Sequence, residues 1–192
     1  YAIKLVEFPL GVLLTVFSIV FFPLFAELFA KKDEKEFSIM FKRVLITVII
    51  ISLAVFIPLN HFSSAITHLI YDWGRLSAEQ LYKISNYLEA VSLTLPFQGI
   101  NALLVAVLAA RKDTLNPLII STVLAVVFIT IGYGFITEIA DIFNLMVLVY
   151  ATFTFFLLLI IVLQHNISIL GQNAFVIEFF KVVVVSLLYY SL

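Results

Sequence analysis

The chain contains no cysteine, so disulfides, thiolate metal sites and thiol nucleophiles are excluded together. Charge is scarce too: Asp, Glu, Lys and Arg make up 12% of the 192 residues, about half the share of a soluble domain. Neither sign dominates, with 11 basic against 12 acidic side chains, so no basic excess points to nucleic acid. Histidine is limited to His61, His68 and His165. Only the first two, seven residues apart, fall on roughly one helix face, and two imidazoles make a thin metal site; polar residues at a membrane surface are the plainer reading. No Ser/His/Asp order, no Gly-rich phosphate loop with a Lys and no metal-ligand spacing occurs. No catalytic residue, no metal site and no cofactor is therefore expected, and the chain is not read as an enzyme.

What remains is apolar. Hydrophobic residues reach 64% and the mean hydropathy is +1.19, more than a core of this size can hide. The chain is an integral membrane protein, and the fold class expected is all-α: a polytopic membrane helical bundle of about six transmembrane helices. Apolar runs at residues 8–30, 44–59 with a mixed continuation to 70, 90–110, 118–137, 142–163 and 174–192 supply the spans. A hydrocarbon core of about 30 Å needs about 20 residues of helix. No charged n-region or cleavage site precedes the first run, so it is not read as a signal peptide. A chain that opens partway into a hydrophobic unit predicts further spans upstream.

Several residues interrupt the runs. Pro9 stands in the first turn of its span, Pro23 should kink that span or end its regular part, and Thr15 and Ser18 suit close helix contact. Lys31 to Glu36, then residues 37–43 ending in Lys42 and Arg43, read as a solvated hinge. Pro58 is expected to bend the second span, Tyr71 and Trp73 to sit at headgroup depth, and Gly74 to allow a tight turn. Ser77-Ala78-Glu79-Gln80 has the pattern of a helix start. In the third span Pro96 and Gly99 flank Gln98, with Asn101 close by; such a break faces either a cavity or another helix. Pro117 opens the next helix, and Glu178 and Lys181 form an i,i+3 pair in the last.

Lys and Arg are distributed unevenly between alternate loops. Lys31, Lys32, Lys35, Lys42, Arg43, Arg111 and Lys112 fall on one side, Arg75 and Lys83 on the other. The richer side is cytoplasmic by the positive-inside bias, which puts Tyr1 on the outer side. The ionisable residues within or at the mouth of spans are Lys4, Glu7, Glu27, Glu89, Glu178 and Lys181. Lys4 and Glu7 are neighbours on one helix face: either a buried structural ion pair, or a cation lining a cavity with an acid that orients it. A cationic cavity attracts phosphate, because a low-dielectric cleft focuses the field. The residues alone support a polytopic helical transporter or scaffold.

The segment Tyr1-Ala2-Ile3-Lys4-Leu5-Val6-Glu7-Phe8-Pro9-Leu10-Gly11-Val12 resembles the YA-x-R-L-x-x-x-P-x-G-V segment of MurJ/MviN lipid II flippases. Ala110-Arg111-Lys112-Asp113-Thr114-Leu115-Asn116-Pro117 is similar to their A-R-x-D-T-x-x-P loop, and Tyr71 to Ser77 to their F-x-x-G-x-F-[ST] stretch. The three occur in matching order over nearly the whole chain. The resemblance implies the two-lobe fold of the multidrug/oligosaccharidyl-lipid/polysaccharide (MOP) superfamily around a central cavity. Residues 1–170 would be five helices of the second lobe and 171–192 an additional C-terminal helix, the N-terminal lobe being absent. It further implies a multi-pass protein of the bacterial inner membrane whose partners are a lipid-linked cell-wall precursor and membrane lipid. Substrate contacts would come from Lys4, Glu7, Gln98 and Asn101, and helix bending from Pro9, Gly11, Pro96 and Gly99. Where Lys4 stands the family usually has Arg; Lys keeps the charge and loses the planar fork. The alternatives are export of another polyprenyl-linked oligosaccharide or a drug, and a non-transporting membrane scaffold.

Overall fold

Phe37, Phe41, Val44, Leu45, Val48 and Ser52 recur at the spacing of one helix face, and in the computed structural model all six are buried along one 28-residue helix. Residues 1–74, 76–135 and 139–165 are described. They form eight α-helices and one π-helical turn: α1 (Ala2–Val16), the π turn (Phe17–Phe21), α2 (Phe22–Lys31), α3 (Glu34–His61), α4 (Ser63–Tyr71), α5 (Ala78–Ser92), α6 (Leu95–Ala110), α7 (Leu115–Phe135) and α8 (Ile139–His165). No strand occurs among the described residues.

The spans depart from their sequence outlines for identifiable reasons. The first run is helical throughout but divided: a π turn stands just ahead of Pro23, which lacks the N–H needed to continue the ladder. The expected hinge is far shorter than residues 31–43. Lys32 closes α2 in the left-handed region and Asp33 starts α3, its Oδ1 accepting the Glu36 N–H at 2.9 Å. Residues 37–43 are helical because Phe37 and Phe41 bury completely in the core. Pro58 lies within α3, which continues to His61; α4 follows as a separate short helix. A capping box starts α5, Ser77 and Gln80 each accepting the other's backbone N–H, as the Ser-x-x-Gln pattern predicts.

Three described helices, α3, α7 and α8, are long and apolar enough to cross a membrane. The pair α5 and α6, bent by 41° at its break, makes a fourth if it counts as one span. The expectation of about six is thus met only in part by unbroken helices: the π turn divides the first run, and the sixth (residues 174–192, with Glu178 and Lys181) lies outside the described residues.

Helix α6 packs against α1, α2, α3 and α8. At the end carrying the basic loops, Leu103, Leu104, Val107 and Leu108 meet Phe25 and Leu28 of α2, the α3 stripe, and Leu157 and Ile161 of α8. Toward the other end Ala2 and Val6 of α1 join Ile84, Leu88 and Val91 of α5, Leu95, and Phe143. Tyr1 and Tyr71 meet edge to face at 5.2 Å there, and Trp73 Nε1 donates to the Ile70 carbonyl at 2.9 Å. Aromatic side chains with one polar end suit headgroup depth.

Candidate functional site

Burial of Ala2 and Val6 against α5 sets the rotation of α1. Lys4, Glu7, Gly11 and Thr15, spaced three, four and four residues apart, consequently share the opposite face, and all four are exposed. The Thr15 hydroxyl donates to the Gly11 carbonyl at 2.8 Å. Lys4 and Glu7 form no ion pair with each other or with any other described residue. The reading of a buried structural ion pair is thereby overturned. A Lys placed ahead of a Glu is the less favourable order on a helix. Among the described residues, Glu27 with Lys31 at 2.6 Å and Glu79 with Lys83 at 2.7 Å pair in the favourable order at i,i+4. Pro9, expected in the first turn of its span, instead lies well inside α1, which starts at Ala2, and is half-buried beside Leu10.

Gln98 and Asn101 come together elsewhere, on α6, at a groove of about 550 Å³ whose other walls include Leu10, Phe22, Tyr150 and Phe153. Lys4 and Glu7 do not line this groove. The amide of Asn101 is engaged with α8: Nδ2 donates to the Tyr150 carbonyl at 3.2 Å, and Oδ1 accepts from Thr154 Oγ1 at 2.7 Å. Gln98 Nε2 donates to Thr94 Oγ1 at 2.7 Å, across the break that precedes Pro96. Side chains also reach carbonyls around that break: Thr94 Oγ1 donates to Val91, and Ser92 Oγ and Asn60 Nδ2 both donate to Glu89. Gly99 stands farther into α6, so close to α3 that a Cβ there would collide with Ser52 Oγ. The Ser52 hydroxyl is fully buried and has no hydrogen-bond partner among the described residues.

Thr154, Tyr150 and Ser52 were not singled out from the sequence. Ser52 and Thr154 were legible as lone hydroxyls within otherwise apolar runs, the kind of residue that suits close or hydrogen-bonded helix contact. Tyr150 acts through its backbone, which no side-chain pattern marks. If the amide of Asn101 clamps α6 to α8, Asn101→Leu should cost about 0.6–2 kcal/mol. Thermal unfolding in detergent measures this, and a melting temperature equal to wild type would refute the clamp.

At the basic end, Asp113 organises the α6–α7 turn. Its Oδ2 accepts from Asn116 Nδ2 at 2.8 Å and Gln164 Nε2 at 3.1 Å, while Arg111 Nη1 donates to Gln164 Oε1 at 2.8 Å. Burial pushes the Asp113 carboxyl up, but hydrogen bonds from Gln164 and Asn116, with Arg111 nearby, outweigh it and hold the group below the usual aspartate range. The folded carboxyl thus titrates lower than the unfolded one. Its contribution is complete at neutral pH, begins to fall as pH drops through the unfolded value near about 4, and is gone below the folded value. Asp113→Ala is expected to cost about 1 kcal/mol at pH 7. Melting temperatures recorded against pH should show that difference closing in acid; a gap that stays constant to the lowest pH would count against the latch.

His61 closes α3 with its ring against Phe62, whereas His68 lies in α4, 3.2 Å from Asp72. Neither a curated protein nor a solved structure matches the chain. The family model described as Lipid II flippase MurJ, a family of transporters rather than catalysts, matches residues 1–192, and the chain belongs to that family.

Proposed function

We propose that the chain contributes the second lobe of a flippase that moves lipid II, the lipid-linked peptidoglycan precursor, across the bacterial inner membrane by alternating access. The described helices belong to that lobe, and the other lobe belongs to the same protein; residues 171–192 lie outside the described residues. The observation that carries the reading is the unpaired Lys4 on the α1 face turned away from the helices it packs on. Charge on a membrane span is costly unless it meets water or protein. An aqueous chamber between two lobes supplies both. Family membership supports the same reading.

In this mechanism Lys4 draws the pyrophosphate into the chamber, and Glu7 on the same face tunes its position. Gln98 and Asn101 offer amides at the neighbouring groove, Gln98 having the freer one. Pro9, Gly11, Pro96 and Gly99 sit where α1 and the α5–α6 pair bend as the lobes rock. The loops at residues 31–33 and 111–114 face the cytoplasm. No bond in the substrate is made or broken. The test is reconstitution of the full-length protein in vesicles with fluorescent lipid II and, separately, another polyprenyl-pyrophosphate sugar. Faster movement of lipid II is expected. Equal movement of both would favour a broader exporter, and movement of neither would leave a scaffold.

A further inference from the structure

Two short turns, about eighty positions apart in the chain, meet at the basic end. Between them lies a cleft of about 610 Å³. We infer that this cleft binds the phosphodiester headgroup of an anionic phospholipid.

Three cations line it, Lys32, Arg111 and Lys112, against two carboxylates, Asp33 and Glu34. Asp33 accepts the Glu36 N–H. Arg111 is held by Gln164, which orients its guanidinium. The ammonium groups of Lys32 and Lys112 have no acceptor among the described residues. One positive charge in excess matches the single negative charge of a phosphodiester.

The backbone gives a second, independent indication. Lys32 has φ 57° and Lys112 has φ 68°; no other non-glycine residue among those described has positive φ. Both follow a helix, their N–H groups donating to Phe29 and Ala109. Glycine is the default residue at such a position, and a lysine there is strained. Strain retained twice, by the same residue type on the same cleft, points to what the side chains do.

Phe29, Phe37 and Leu28 complete the walls. Apolar walls under a cationic rim, at the depth where the spans end, suit a lipid better than a phosphate free in solution. Basic residues just beyond a span are attracted to anionic headgroups, and an arginine fork matches phosphate oxygens. The site is separate from Lys4 and stands whether or not the protein moves lipid II.

The experiment uses the full-length protein in neutral detergent, titrated with dioctanoyl-phosphatidylglycerol, dioctanoyl-phosphatidylcholine and glycerol 3-phosphate while thermophoresis reads binding. Saturable binding of the phosphatidylglycerol is expected, at least about tenfold tighter than either of the others. The double variant Lys32→Asn with Lys112→Asn removes both charges, and Asn tolerates the left-handed backbone. It should weaken phosphatidylglycerol at least about tenfold. Lys83→Asn, at the opposite end, should not. Should the Asn pair fold poorly, Lys32→Gly with Lys112→Gly relieves the strain and makes the same test. Equal affinity for the two lipids, glycerol 3-phosphate binding as tightly as the anionic lipid, or a folded double variant with wild-type affinity would each overturn the assignment.

Discussion

Lys4→Ala in the full-length protein is expected to lower lipid II translocation by about ten- to a hundredfold while leaving the melting temperature unchanged. The two halves of this prediction have separate causes. A hydrogen bond between an ammonium and a phosphate oxygen contributes about 1.5–3 kcal/mol, and each 1.4 kcal/mol is a factor of ten. Stability is spared because Lys4 is exposed and pairs with no described residue, so its removal leaves no orphaned partner. Lys4→Arg restores the charge and adds a fork that can hold two phosphate oxygens, so its activity should equal or exceed that of wild type. Glu7→Gln makes a further comparison, since the carboxylate one turn away competes with phosphate for the same cation. Translocation of fluorescent lipid II in vesicles, at substrate levels below saturation, is the measurement. A Lys4→Ala protein that flips lipid II at the wild-type rate would end the cavity mechanism.

The second large effect is expected at Gly99 and falls on stability. Helices α3 and α6 cross there closely enough that Gly99 faces Ser52 and Val48 with no room for a bulky side chain. Gly99→Leu must push the helices apart or drive neighbouring side chains off their rotamers, at about 1–3 kcal/mol. Gly99→Ala is instructive by contrast. Its Cβ collides with the Ser52 hydroxyl, while Ser52 Cβ at 3.4 Å and Val48 Cγ1 at 3.7 Å are ordinary contacts. Because the hydroxyl has no described partner to lose, it can turn away, and the alanine should cost well under the leucine. Thermal unfolding of both variants in detergent measures the difference. Leucine tolerated as well as alanine would show that the helices do not pack this closely in the membrane.

The two basic turns show how far reading along the chain reaches. Lys31, Lys32, Arg111 and Lys112 were assignable to one side of a membrane from loop alternation alone, since charge bias is a property of the chain and needs no coordinates. That Lys32 and Lys112 share one cleft is another matter. It follows from α2 and α6 lying side by side, and from the chain leaving each of them through a lysine in the left-handed region. The hinge shows the reverse error. Residues 37–43 look solvated beside Lys42 and Arg43, yet Phe37 and Phe41 complete the aromatic cluster around Phe25, and helix α3 extends to bury them.

The sequence by itself determined the class of protein, the approximate spans and the family, because apolar length and short motifs are written along the chain. Only the tertiary structure decided which way each helix turns. It left Lys4 and Glu7 unpaired on the open face of α1, committed Asn101 to Thr154 and Tyr150, and set Gly99 against Ser52. The reason is physical: where lipid is as apolar as a neighbouring helix, hydrophobic periodicity no longer marks the inward face. Helix α7, apolar on all sides, carries no such mark. Small residues, single hydroxyls and amides then set the rotation, and their partners lie on other helices.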